Sequence, residues 1–215
     1  MNPGIFKAYD IRGIYPDDLN EEDAWKIGCA TARFLRSLLR GYERGQAASQ
    51  SLCIGRDMRT HSESLARALI EGMNSTGTNV IDIGMIDTPQ MYFAINHLGT
   101  CGGVQITASH NPAKYNGFKI SGLDAKPIGG DTGLKDIEHI ATALLHTKGN
   151  ATGSVESRDL TSEYKKHVLK FLRSNVKKMK VAVDASNGMA GKMVPAIFSK
   201  LPVKIIEINF EHKGQ

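Results

Sequence analysis

Short apolar, β-branched runs alternate with amphipathic helical spacing along most of this chain, and that alternation narrows the folds open to it more than any other feature. Strand-like runs occupy 52–55, 80–85 and 103–107, and helical spacing occupies 20–40, 62–76 and 88–99. In the first helical stretch Trp25, Gly28, Cys29, Ala32, Leu35 and Leu39 share one face, with Asn20 as the cap. The second repeats the spacing through Leu65, Leu69, Ile70 and Met73, and the third opens on Thr88-Pro89, a cap and a first-turn proline, and stops at Gly99. A further amphipathic stretch covers 131–146 through Leu134, Ile137, Ile140, Ala141, Leu144 and Leu145. The order predicts an α/β fold, a mixed and mostly parallel sheet covered by helices on both faces.

Composition changes at 147–157, where Thr, Gly, Ser and Asn displace apolar side chains, and this reads as an interdomain connection. It separates a first domain, 1–148, from a partial second one, 158–215. The second begins with a helix over 160–175, with Tyr164, Val168, Phe171 and Leu172 on its inner face. A strand at 180–184, a tight turn Ala185-Ser186-Asn187-Gly188, a helix at 190–200 and a strand at 203–208 then open a second, similar α/β domain. Asn187-Gly188 can aim a helix N-terminus at an anion, although one such turn is a weak signal.

The 215 residues suffice for one large domain or a domain and a half. No apolar run approaches the length of a membrane helix, and the start carries no export signal, so a soluble cytoplasmic protein is expected. Cys29, Cys53 and Cys101 are odd in number and set among apolar residues, which favours reduced core thiols over a disulfide or zinc framework. The net charge of +5 suits phosphorylated small molecules and nucleic acid alike. Lys165, Lys166, Lys170 and Arg173 read as a nucleic-acid surface or, more simply, as a solvated helix face.

The chemistry gathers where the run 103–107 ends, at Thr107-Ala108-Ser109-His110-Asn111-Pro112. Pro112 bars Asn111 from the α region, so the chain leaves the strand as a loop with Ser109 at its crest among backbone N–H groups, a nest suited to an anion. A serine hydrolase does not fit, because adjacent side chains of an extended segment point apart and no Gly-x-Ser-x-Gly elbow surrounds Ser109. A plain polar turn remains as the other reading.

Residues 6–13 read as a short strand turning at Gly13, which brings Tyr9 and Arg12 to one end of a sheet, Arg12 serving a phosphate or a surface salt bridge. Arg56-Asp57-Met58-Arg59-Thr60 forms a basic loop at a strand's carboxyl end, either a ligand site or a place where Asp57 pairs internally with Arg56 or Arg59. Tyr115-Asn116-Gly117 reads as a tight turn with positive φ at Gly117, and 118–121 as a returning strand that carries Lys119 back beside Ser109. Lys119 is then a proton-transfer group or a solvated strand lysine.

The serine hexapeptide resembles the phosphoserine loop of the α-D-phosphohexomutases. Phe6-Lys7-Ala8-Tyr9-Asp10-Ile11-Arg12-Gly13 resembles the N-terminal signature of their phosphomannomutase/phosphoglucomutase branch, in the same order and at the family's spacing. The phosphoglucosamine branch, which opens Gly-Thr-Asp-Gly-Ile-Arg-Gly, is less similar. The resemblance spans essentially the whole chain and implies interconversion of hexose 1-phosphate and hexose 6-phosphate, mannose or glucose, through a phosphoserine and a bisphosphate. It makes Ser109 the phosphocarrier, Lys119 the acid/base candidate, Arg12 and His110 phosphate-orienting groups, and Tyr9 a wall of the substrate site, with Arg12, Ser109 and Lys119 also meeting the substrate.

It further implies Mg²⁺ held at Ser109 through its phosphate, and hexose 1,6-bisphosphate as activator. The family builds its site from four domains, and this sequence contains no Asp-Gly-Asp-x-Asp-Arg metal loop, no Gly-Glu-x-Ser-Gly-His sugar loop and no Arg-x-Ser-Gly-Thr-Glu phosphate loop. The expectation is an N-terminal portion, inactive alone, that needs its missing C-terminal domains or a second chain, with a phosphorylated hexose as ligand and neither nucleic acid nor membrane as partner. The alternative is a non-catalytic sugar-phosphate-binding or interaction module of the same fold.

Overall fold

The computed structural model describes residues 1–39, 50–145, 152–173 and 176–214. Most of the connection expected at 41–51, residues 147–151 of the next one, and the last residues of the helices expected at 20–40, 131–146 and 160–175 lie outside the described residues. Six strands, β1 (Ile11–Ile14), β2 (Leu52–Arg56), β3 (Val80–Met85), β4 (Gly103–Ile106), β5 (Tyr115–Ser121) and β6 (Val155–Ser157), form one sheet in the order β1-β5-β4-β2-β3-β6. β5 is antiparallel to both its neighbours and the other three pairings are parallel.

Six helices are described: α1 (Glu21–Leu38), α2 (Ser62–Asn74), α3 (Thr88–Leu98), α4 (Lys135–Ala143), α5 (Thr161–Leu169) and α6 (Ala190–Phe198). One face of the sheet, with Ile11, Val104, Ile106 and Phe118, packs against Ile27 and Leu35 of α1, Leu65 and Leu69 of α2, and Ile137 of α4. The opposite face packs Cys53, Ile83 and Ile86 against Met91, Ala94 and Ile95 of α3 and Leu160 just before α5. Helices α1 and α2 cross through two glycines: a Cβ on Gly28 would lie 2.1 Å from the Leu69 carbonyl oxygen, and one on Gly72 2.0 Å from that of Trp25.

Several elements differ from the sequence expectations, each for a local reason. Residues 6–13 are a small hairpin rather than a strand: Phe6 bridges Ile11, Lys7 N–H donates to the Asp10 carbonyl, and β1 begins only at Ile11. The cap of α3 is Asp87, whose carboxylate accepts the Gln90 N–H at 3.0 Å, so Thr88 is the first helical residue. The helix expected from 131 starts at Lys135, after an irregular turn, and stops at Ala143, which leaves Leu145 exposed. Residues 155–157, expected in a polar connection, form the edge strand β6. All three of its side chains are exposed, so pairing there is carried by the main chain and leaves no apolar pattern to read.

Asn20 caps α1 as expected, its amide oxygen accepting the Asp23 N–H at 3.1 Å. The three cysteines are free and buried, and burial pushes the Cys53 and Cys101 thiols up to about 11, which keeps them protonated. Beyond α5, β7 (Met179–Asp184) and β8 (Val203–Ile208) pair in parallel as a separate two-stranded sheet, with α6 between them in sequence. Among the described residues no helix is long and apolar enough to cross a membrane.

Candidate active site

Strand β4 delivers the serine loop to the end of the sheet where β2 and β3 also terminate. Thr107 N–H donates to the Gly117 carbonyl at 2.9 Å, the last rung of the β4–β5 ladder, and two residues later Ser109 takes a left-handed backbone with φ 53°. A non-glycine residue pays roughly 1–2 kcal/mol for that conformation. It persists here because the loop is fixed on several sides. Ser109 N–H donates to Thr107 Oγ1 at 2.9 Å, and the Ala108 carbonyl accepts both the N–H and the side-chain amide of Asn111.

The loop carbonyls are gathered by one residue. The guanidinium of Arg59 donates to the carbonyls of Ser109, Asn111, Pro112 and Tyr115 at 2.6–3.0 Å. Arg59 is itself buried and paired with Asp57 at 3.3 Å. The other Asp57 oxygen accepts the Arg59 N–H at 3.0 Å and the Ser62 hydroxyl at 2.6 Å, and Ser62 in turn accepts from the Asn116 amide at 2.9 Å. Of the two readings of residues 56–60, internal pairing therefore holds for Asp57 and Arg59. Burial first, then the Arg59 charge, holds the neighbouring His61 imidazole below its ordinary pKa.

Residues 115–117 do not make the expected turn. All three lie inside β5, and the chain reverses earlier, between Ser109 and Lys114. Gly117 lacks the predicted positive φ and is required for a different reason: a Cβ there would lie 2.0 Å from the Ile11 carbonyl oxygen of β1. Asn-Gly is a strong turn signal by itself, but here Asn116 is wholly buried by its bond to Ser62 and Gly117 by the close β1–β5 approach.

The hairpin places Lys119 opposite Gln105, on the strand that leads into the serine loop. Arg12 stands opposite Gly117 on the other side of β5. Side chains alternate along a strand, so Arg12, Lys119, Gln105 and Thr107 fall on one face of the sheet, opposite the face on which Ile11, Phe118, Val104 and Ile106 enter the core. On that face Asp10, a residue not singled out from the sequence, pairs with Arg12 at 2.5 Å and with Lys119 at 3.4 Å. Asp10 is buried, whereas the Arg12 and Lys119 side chains keep 21% and 30% of their exposure, so both cations are tethered yet reachable.

Ser109 is exposed and stands between two clefts of about 320 and 360 Å³ that share Met58, Ser109 and Gly188. The first also includes Asp87, Gln105 and Thr107, and the second Arg59, His110, Asn111, Ser186 and Lys213. Burial raises the Asp87 carboxyl above its usual range, against the N–H it caps. Tyr9 sits at the tip of the first hairpin, 84% exposed, and lines neither cleft. Structure thus sorts the expected site residues into Ser109 and His110 at the clefts, Arg12 and Lys119 around Asp10, and Tyr9 free in solvent. Among the described residues no group of three or more His, Cys, Asp or Glu is placed to hold a metal ion.

The long-range roles of Asp10, Arg59 and Asn116 are not legible in the sequence, whereas the local pairing of Asp57 with Arg59 is. Asp10 stood within the quoted N-terminal motif and Arg59 within the weighed basic loop, but their remote partners lie up to 109 residues away.

Comparison with known proteins finds relatives of this sequence and fold. A family model described as phosphoglucomutase/phosphomannomutase, alpha/beta/alpha domain I, matches residues 3–147. A phosphomannomutase of Salmonella montevideo is 40% identical over 216 aligned residues, covering 97% of this chain and 45% of the relative. A protein of Xanthomonas campestris named among phosphohexose mutases is 39% identical, with 100% and 45% covered. The crystal structure of a phosphoglucomutase/phosphomannomutase family protein from Burkholderia thailandensis superposes with a TM-score of 0.83 at 30% identity, covering all of this chain and 45% of that one. The chain spans about half the length of the relatives it matches.

Proposed function

The chain belongs to the phosphoglucomutase/phosphomannomutase family, and we propose that it forms the phosphoserine-bearing N-terminal part of a mutase that interconverts hexose 1-phosphate and hexose 6-phosphate, with mannose and glucose as the sugars. The observation that carries this reading is Ser109, exposed between two clefts on a loop whose backbone is held in a left-handed conformation. In the proposed reaction Ser109 Oγ carries the phosphoryl group. A sugar hydroxyl oxygen attacks phosphorus and the P–Oγ bond breaks; the hydroxyl gives up its proton as the new P–O bond forms, and Ser109 Oγ takes up a proton as it leaves. The resulting hexose 1,6-bisphosphate turns over and returns its other phosphoryl group to Ser109, so the same bisphosphate serves as activator.

Lys119 is assigned to the proton transfer, and its ion pair with Asp10 fixes where the amine stands. Arg12, held by the same carboxylate, and His110, at the cleft, are assigned to orienting phosphate oxygens, and Tyr9 to a wall that closes over the sugar. Magnesium would meet the serine phosphate, neutralising its charge. The described carboxylates do not build its shell: Asp10 is engaged by Arg12 and Lys119, and Asp57 by Arg59 and Ser62. The remaining ligands are therefore proposed to come from further domains or a second chain, and the chain alone is proposed to lack turnover.

Incubation with glucose 1,6-bisphosphate followed by phosphopeptide mapping tests the reading. Phosphate is expected on Ser109, and phosphate on other residues with Ser109 bare would overturn it. The isolated chain is expected to convert no glucose 1-phosphate to glucose 6-phosphate above background, and robust turnover by it would show the site to be complete without added domains.

A further inference from the structure

We propose that Arg59 is the positioning residue of the serine loop, the group that sets the backbone on which Ser109 presents its hydroxyl; the inference rests on the role proposed for Ser109. The Arg59 side chain retains only 5% of its exposure and spreads its donors over the carbonyls of Ser109, Asn111, Pro112 and Tyr115. Turning these carbonyls inward turns the intervening amides outward. Among the described residues no protein acceptor meets the main-chain N–H of His110 or Ala113, which share peptide groups with the gathered Ser109 and Pro112 carbonyls. Carbonyls in and amides out is the arrangement that makes a turn receptive to an anion.

Charge and shape both matter at this position. The planar guanidinium offers five donors in a fixed fork, whereas an ammonium offers three on a flexible stem, so lysine cannot reach all four carbonyls at once. Asp57 fixes the guanidinium from behind, and Ser62 and Asn116 fix Asp57 in turn. Arg59 thereby ties the loop after β2 to the loop after β4 and to the first residue of β5. Although it lines the cleft beside Ser109, both terminal nitrogens are already engaged by loop carbonyls and Nε faces Asp57, which suits it to holding the loop rather than gripping substrate.

The test compares Arg59→Lys with the parent in the natural full-length protein, by amide hydrogen exchange and by the rate of phosphate incorporation from glucose 1,6-bisphosphate. Exchange at the bonded loop amides of Ser109, Asn111 and Tyr115 is expected to speed up at least about tenfold while β2 and the core of β4 keep their protection. Incorporation is expected to slow by about 10²-fold with little change in the half-saturating bisphosphate concentration, the mark of lost orientation rather than lost binding. Unchanged exchange at these amides would overturn the proposal, and so would a loosened loop that takes up phosphate at the parental rate. Should Arg59→Lys unfold, Asp57→Asn, which leaves the guanidinium but removes its orienting charge, is expected to give the same two changes at smaller size, and their absence would overturn the proposal equally. A parent that takes no phosphate on Ser109 would sink the functional reading, while the exchange comparison would still decide whether Arg59 orders the loop.

Discussion

Two strand-end turns face one another across the clefts, the serine loop after β4 and the turn Ala185-Ser186-Asn187-Gly188 after β7. Both hold non-glycine residues in the left-handed region, Ser109 with φ 53° in one, Ser186 with φ 48° and Asn187 with φ 56° in the other. They are held in different ways. The serine loop is fixed by a buried arginine on a sheet whose neighbouring strands are packed on both faces. The second turn is fixed by short-range bonds and its own sheet: Ser186 N–H donates to Asp184, and Asn187 N–H to the Asn209 carbonyl at 2.7 Å. Its host strands are largely exposed, with Ile206 and Ile208 at 46% and 43%. A demanding backbone can therefore be imposed from a distance or satisfied locally, and only the first couples the turn to the rest of the fold.

The largest effect that sharpens this contrast is catalytic. In the full-length protein Lys119→Met is expected to lower turnover by roughly 10²–10⁴-fold with little change in stability. Ser186→Ala in the facing turn should cost much less. An unchanged rate for Lys119→Met, measured under saturating substrate, would return that residue to an ordinary strand lysine held by Asp10.

A smaller effect concerns backbone approach. Gly117→Ala places a Cβ against the Ile11 carbonyl and is expected to destabilise the chain by about 1–3 kcal/mol, read from denaturant midpoints. Gly188→Ala, whose nearest contact would be 3.2 Å, should lose less. Equal losses at the two sites would erase the difference between the tightly and loosely built regions.

The smallest effect isolates the backbone itself. Ser109→Gly removes the left-handed penalty and should raise stability by roughly 0.5–1 kcal/mol after the added chain entropy of glycine, even as it removes the phosphate acceptor. Asn187→Gly should be close to neutral, because asparagine tolerates this conformation better. If Ser109→Gly destabilises instead, the Ser109 side chain itself helps to hold the loop.

The alternation of strands and helices, the Asn20 cap, the α3 proline and the strand leading into the serine loop were all legible in the sequence, because each depends on residues within a turn or two of one another. The serine loop and the N-terminal motif likewise carry the family resemblance in residues contiguous along the chain. What tertiary structure decided were the roles of polar residues whose partners are remote: Asp10 between Arg12 and Lys119, Asn116 bound to Ser62, and Arg59 reaching 50 to 56 residues ahead. The same holds for β6, three exposed residues of which only Val155 is apolar, a strand by virtue of its main-chain pairing with β3. Local spacing encodes which face of an element is apolar, whereas a buried charge or an Asn-Gly pair takes its meaning from whichever distant backbone group the fold brings to it.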